Sequence, residues 1–303
     1  RSETITGKYG PYTKGVKYLG ELYPISYYQS ATALSLSRTL KRPDSVKKEK
    51  MLVVADPVFD PLTDDRLKGK KEMAARTGEY QMRLMREVND SWKGGQGKEV
   101  NFARLPLTGR LADTLKRSYG QGVEILSGLE ASEQEFRRRP LKQYGSQVFA
   151  THGILDETVP YIKEPALVLS QVGVDGKERE RDGFLTMTEV MDLELEAEIV
   201  ALTACDTGIG KNLTGEGVMG MGRAFQYAGA RSVLMSLWSV EDESTNLLTE
   251  RFFAHLKSGK GKLEALKKIQ KADGSPLIPD DASLTFQVIT LLENESAFMG
   301  KQN

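Results

Sequence analysis

"MLVVADPVF", residues 51–59, is the stretch on which the fold turns. Its unbroken apolar run, closed by Asp-Pro, is the pattern of a strand buried on both faces of a sheet, with helices covering each side. Working outward, further apolar runs at "GVEIL" (122–126), "VFATHG" (148–153), "ALVLS" (166–170), "IVALTAC" (199–205), "RSVLMSLW" (231–238) and "LTFQVITLL" (284–292) read as strands. Stretches of helical period lie between them. "TGRLADTLKRSYG" (108–120) ends on a glycine stop, "GEGVMGMGRAFQYAGA" (215–230) is a glycine-started helix rich in small residues, and "STNLLTERFFAHLKSG" (244–259) is amphipathic and stopped at Gly259. "GKLEALKKIQKAD" (261–273) continues in helical period. Two capping boxes, Ser132 with Glu135 and Thr186 with Glu189, start shorter helices, and Pro140 disrupts the first of these. The alternation predicts an α/β fold with a single mixed or mostly parallel sheet.

Ahead of this core, "YPISYYQS" (23–30) reads as a strand leading into a helix at "ATALSLSRTL" (31–40). Residues 1–50 are expected to form an N-terminal strand and helix segment, and residues 51–303 the main core, interrupted by a charged, Lys-rich insertion at about 60–102. "VDGKERERDG" (174–183) reads as a hairpin tip or surface loop. The chain opens on Arg1 rather than Met, which suggests a piece of something longer.

Composition narrows the function classes. Hydrophobic residues make up 39% and charged residues 28% of 303, an ordinary balance for a soluble globular protein. Lys plus Arg equals Asp plus Glu at 42 each, so no global field draws the chain to nucleic acid or to an anionic membrane. No apolar run approaches bilayer length and the start "RSETITGKYG" lacks the layout of a signal peptide, so a cytoplasmic location is expected. One cysteine forms no internal disulfide, and two histidines with one cysteine do not build a zinc site, so neither a metal nor a cofactor is expected.

The chemistry then rests on two strand ends. "VFATHG" ends on His152 and "IVALTAC" ends on Cys205, the only cysteine. In parallel sheets function concentrates where strands leave the sheet at their carboxyl ends. The segment between the two runs is long enough for a crossover returning to a neighbouring parallel strand, which would bring the exits together. A thiol needs a nearby imidazole to raise its reactive fraction at neutral pH. The order His then Cys excludes a papain arrangement. Two plainer roles remain open: a cysteine after an apolar strand is commonly a small buried hydrophobe, and a histidine at a strand end commonly caps a backbone group. The flanks favour chemistry, because Gly153 leaves its amide unobstructed beside the imidazole and "Ala-Cys-Asp-Thr-Gly" gives the thiol small neighbours. The amides of Gly153 and Cys205 could then face one developing oxyanion.

Over "YPISYYQSATAL", "VFATHG", "ALVLS", "GFLTMTEVMDLELEAEIVALTACDTGIG" and "GEGVMGMGRAFQYAGARSVLMSLWSVEDEST", the sequence resembles the CHAT domain family. That family groups caspase-like, separase-related bacterial cysteine peptidases, in the same clan as legumain and gingipain. The resemblance implies a caspase-like α/β/α sandwich with a mostly parallel sheet and helices on both faces. It also implies peptide-bond hydrolysis through a thioester, with Cys205 as nucleophile, His152 as acid/base and the Gly153 and Cys205 amides as oxyanion hole, no third catalytic member being required. In separase-like relatives an acidic residue after the "LW" strand selects a basic residue before the scissile bond. Asp242, with Glu241 next, would fill that role here, unless the two simply form the acidic first turn of the following helix. The implied partners are a protein or peptide substrate and a regulatory partner or upstream tetratricopeptide (TPR)-like repeats. A catalytically silent interaction module with the same fold is the alternative.

Other signals weigh less. "GEGVMG" (215–220) fits G-x-G-x-x-G with Glu241 at the ribose-binding distance, the mark of a dinucleotide-binding domain. Its glycines should follow a strand at once, yet a loop from Cys205 to Thr214 intervenes. His255 reads as a helix-face residue where a cation is tolerated, the Lys-rich clusters at 47–50 and 68–71 as solvated loops, and Trp92 and Trp238 as packing residues.

Overall fold

The computed structural model describes residues 4–7, 10–13, 49–60, 64–67, 102–154, 162, 164–171, 182–203, 215–236, 242–270 and 289–293. The expected strand and helix at 23–40, the bulk of the 60–102 insertion and most of the 174–183 loop lie outside the described residues. A short antiparallel hairpin, β1 (Thr4–Gly7) with β2 (Gly10–Thr13), was not foreseen. The main sheet contains β3 (Met51–Pro57), β4 (Val123–Gly128), β5 (Ser146–Ala150), β9 (Ile199–Leu202), β10 (Ser232–Ser236) and β11 (Ile289–Glu293). Its spatial order is β11-β10-β9-β5-β3-β4, with every pair parallel except the antiparallel edge strand β11. Three residue triplets, β6 (His152–Ile154), β7 (Ala166–Val168) and β8 (Phe184–Thr186), form a separate antiparallel sheet. The expectation of a single sheet is corrected at this point.

The apolar strands are continuous because both faces are covered. Leu52 and Val54 of β3, Phe149 of β5, Val200 and Leu202 of β9 and Val233 and Met235 of β10 share one core with helices α2 (Glu133–Arg137), α3 (Met187–Met191) and α4 (Gly215–Tyr227). The alternate residues, Met51, Val53, Ala55, Val148, Ala150, Ile199, Ala201 and Leu234, pack in a second core. That core also takes residues of α1 (Pro106–Tyr119), α5 (Asp242–Lys257) and α6 (Lys262–Gln270). A period of two on each strand thus feeds two helical layers, the caspase-like α/β/α sandwich. Local signals hold at the helix ends. Thr186 and Glu189 form the full reciprocal box at α3, Ser132 accepts from the Glu135 amide at α2, and Gly120 (φ 71°) and Gly259 (φ 85°) end α1 and α5.

The small sheet caps the carboxyl rim of the main one. Past β7, the Ser170 amide donates to Ala131 O at 2.7 Å and the Gln171 amide to Val58 O at 2.8 Å, so the chain is laced to the exits of β4 and β3. A third core of Phe59, Leu105, Ile154, Ile162, Ala166, Val168 and Phe184 fills the space beneath it.

Candidate functional site

β5 and β9 are parallel neighbours, paired in register at Ser146 with Ile199 through Phe149 with Leu202. The ladder runs one step further, since the Thr203 amide donates to Phe149 O at 3.0 Å and the Thr203 hydroxyl reaches the same oxygen at 3.3 Å. Cys205 follows Thr203 by two residues and lies outside the described residues, as does Glu241. The two chain exits therefore leave adjacent strands at the same rim of the sheet.

The histidine is not at the end of β5. Thr151, almost fully buried, turns the chain by donating its hydroxyl to Val168 O, and His152 then opens β6 opposite Val168. A polar bond from the turn to the neighbouring strand is what separates one strand from the next, a contact that an apolar run does not reveal. His152 is 7% exposed. Its ring lies 4.8 Å from the Phe59 ring and 5.6 Å from that of Phe102, within reach of tilted aromatic packing. Nε2 stands 2.7 Å from Ala103 O. A carbonyl only accepts, so Nε2 carries the hydrogen, and in the neutral ring Nδ1 then holds the lone pair. An imidazole fixed in this way can take a proton at Nδ1 while remaining oriented at Nε2. Gly153, buried in β6, pairs with Leu167.

The remaining candidates are placed by backbone alone. Asp242 is the first residue of α5, where a carboxylate also suits the helix dipole. The G-x-G-x-x-G stretch sits inside α4, which begins at Gly215, whereas β9 ends at Leu202, so its glycines do not form a strand-to-helix turn. Gly220 serves packing: a Cβ there would meet Met187 Sδ at 3.1 Å across the α3–α4 contact. On α5, burial pushes the His255 pKa below its ordinary 6.5, and Lys260 and Lys268 act in the same direction, so its surroundings disfavour a cation there. Among the described residues there is no cluster of His, Cys, Asp and Glu able to hold a metal, and no helix is long and apolar enough to cross a membrane.

The model of the CHAT domain family matches residues 7–274, most of the chain. The chain belongs to the CHAT domain family. CHAT domains are related to caspase-like cysteine peptidases, in keeping with the sandwich described above. Two curated relatives match this chain over a shorter stretch. Tetratricopeptide repeat protein 28 from Homo sapiens is 34% identical over 88 residues, 29% of this chain and 4% of that protein. Its counterpart from Mus musculus is 32% identical over 79 residues, 26% of this chain and 3% of that protein. The chain thus spans a small fraction of the relatives it matches, and those relatives are TPR proteins.

Sequence reasoning missed Ala103, Phe59 and Phe102. Phe59 closes the run "MLVVADPVF" and could have been suspected from its place at a strand exit. Ala103 acts through its main-chain oxygen, for which no residue type is a signal.

Proposed function

We propose that this CHAT domain is a cysteine endopeptidase that cleaves a protein substrate with Cys205 and His152. The observation that carries the proposal is the in-register parallel pairing of β5 with β9, because it makes the two chain exits neighbours. The anchoring of His152 Nε2 on Ala103 O supports it by leaving Nδ1 as the basic nitrogen. The thiol of Cys205 passes its proton to Nδ1, the sulfur attacks the scissile carbonyl carbon, and the carbonyl electron pair moves onto oxygen. That oxyanion accepts from the Gly153 and Cys205 amides. Collapse expels the amine, which takes the proton from His152. Water then hydrolyses the thioester, giving up its proton to His152, and the thiol is restored.

Asp242, with Glu241 beside it, is assigned to the pocket that selects Arg or Lys before the scissile bond, a carboxylate there pairing with the substrate cation. The kinship with TPR proteins supports control of the peptidase by an attached or separate TPR-like partner. A peptide library incubated with wild type, Cys205→Ala and His152→Ala, with and without such partners, and read by mass spectrometry tests the assignment. Cleavage confined to the wild type is expected, with Asp242→Asn losing preference for basic residues. Absence of cleavage with every partner, together with no alkylation of Cys205 by a thiol electrophile, would leave the interaction-module alternative.

A further inference from the structure

The residue that closes β3 is unusual in four ways at once. Asp56 takes φ 45°, alone among non-glycine described residues in having a positive φ. It is the extra residue of a bulge, since Ala55 pairs with Ser127 of β4 and Pro57 with the very next residue, Gly128. It is only 7% exposed although charged. Finally, each of its polar groups is engaged by chain distant in sequence. The carboxylate receives Arg104 through a two-pronged fork, Nε to Oδ1 at 3.1 Å and Nη2 to Oδ2 at 2.8 Å. Arg66 Nη1 donates to Oδ2 at 2.9 Å and to Asp56 O at 2.8 Å. The Asp56 amide donates to Thr108 Oγ1 at 2.9 Å, and that hydroxyl passes its own hydrogen to Leu105 O at 2.7 Å.

Bulges bend a strand and re-aim a side chain, and Asp is one of the few residues that accepts a left-handed conformation. Here the bend turns Asp56 toward the segment 104–108, which it holds by side chain at Arg104 and by main chain at Thr108. Ala103, whose carbonyl receives His152 Nε2, is the residue immediately before that clamp. Arg66 is held in turn by Asp64, through Nε at 2.8 Å and Nη2 at 2.5 Å. Burial pushes the Asp64 pKa up, but the Arg66 bonds outweigh it and hold this carboxyl below its ordinary 3.8, so Asp64 stays ionised at neutral pH. A fork onto a carboxylate fixes angle as well as distance, which one ammonium would not.

We infer that Asp56 and Arg104 are positioning residues for His152, acting through the main-chain carbonyl of Ala103. The inference rests on the peptidase reading only for its consequence in catalysis, because the link to the imidazole is a property of the resting protein. Without the clamp, residues 102–104 gain freedom, the Nε2 bond to Ala103 loosens, and the ring loses its fixed orientation.

The test reads the ring directly. With two histidines in the chain, 15N-histidine labelling in a His255→Gln background isolates His152. A ring N–H held in a buried hydrogen bond exchanges slowly with water and gives an observable resonance, whereas a loosened ring loses it to exchange. Arg104→Met is the first variant. The Arg104 side chain is 41% exposed and its loss leaves Asp56 paired with Arg66, so folding is expected to survive. Asp56→Asn is the second, retaining a residue that tolerates positive φ while weakening the fork. Both variants should keep a cooperative melt and lose the His152 ring N–H signal. Where peptide cleavage is measurable, kcat should fall by about 100-fold with KM little changed, the scale of a small misplacement of a reacting group. Wild-type exchange of the ring N–H in both variants would overturn the inference, and so would loss of the cooperative melt in both, which would make the cluster a structural ion pair. If the ring signal is lost while the wild type cleaves no peptide, the positioning inference stands and the peptidase reading fails.

Discussion

Gly229→Ala offers the sharpest test of how the α4–β10 turn is built. Gly229 has φ 119°, and a Cβ placed on it would lie 2.0 Å from Leu195 O and 2.9 Å from Leu195 C, both backbone atoms that no rotamer change can move aside. The two strands of chain are already tied together on either side of the clash, by the Leu195 amide to Ala228 O at 2.7 Å and the Arg231 amide to Ala197 O at 2.9 Å. Leu195, Ala197 and Ala228 are all buried, so three of the four residues in these bonds have little water to fall back on. Forcing a side chain into the positive-φ region costs about 1–2 kcal/mol. Moving Leu195 away by about an ångström weakens two hydrogen bonds at roughly 0.5–1.5 kcal/mol each. The sum is about 2–5 kcal/mol, or roughly 3–8 °C in Tm for a chain of this size. Gly259→Ala is the control, because Gly259 has a comparable φ of 85° but nothing within 4 Å of its added Cβ, so it carries the conformational cost alone. Thermal melts by circular dichroism should place Gly229→Ala clearly below Gly259→Ala. Equal melting temperatures would refute the claim that close backbone approach, rather than turn conformation, demands glycine there.

Further outcomes follow from other particular contacts. Thr186→Ala removes the cap that accepts the Glu189 amide, so it should cost about 1 kcal/mol in urea denaturation. Glu189→Gln should cost less, because an amide oxygen can still accept from the Thr186 amide. The Tyr144 hydroxyl, and after it Arg139, hold the Glu124 carboxyl below its ordinary 4.5 against the opposing effect of burial. A depressed carboxylate contributes its stability above the unfolded value and loses it as pH falls through the folded one, so denaturation midpoints should drop on acidification below 4.5. Tyr144→Phe should flatten that slope, and an unchanged slope would remove Glu124 from the account. Burial raises the Tyr119 pKa to about 12 against the lowering effect of a main-chain hydrogen bond with Lys257, and the neutral hydroxyl donates to Phe253 O at 2.6 Å. Its stabilising contribution is therefore complete below 10 and should be lost as pH rises toward 12, a loss that Tyr119→Phe abolishes in alkaline melts.

The strands of the main sheet and the helices packed on it were legible in the sequence because their signals are local. An apolar run such as 51–55, a capping pair three residues apart such as Thr186 and Glu189, and a glycine stop such as Gly259 each report on their own segment, and burial on both sheet faces turns those segments into one sandwich. The order of β5 and β9 could be expected on the same grounds, since the intervening chain is long enough for a crossover. What only the tertiary structure decided involves partners far apart in sequence and atoms that carry no residue signature. Asp56 meets Arg104 across 48 positions and His152 meets Ala103 across 49, the latter through a main-chain oxygen that any residue would supply. The same holds for the antiparallel sheet of β6, β7 and β8. Its three-residue strands are too short to show a period, and they are held by bonds from Thr151, Ser170 and Gln171 to neighbouring chain. Periodicity encodes which face of an element is buried, whereas the groups that hold a buried side chain such as His152 are chosen by where the folded backbone brings them together.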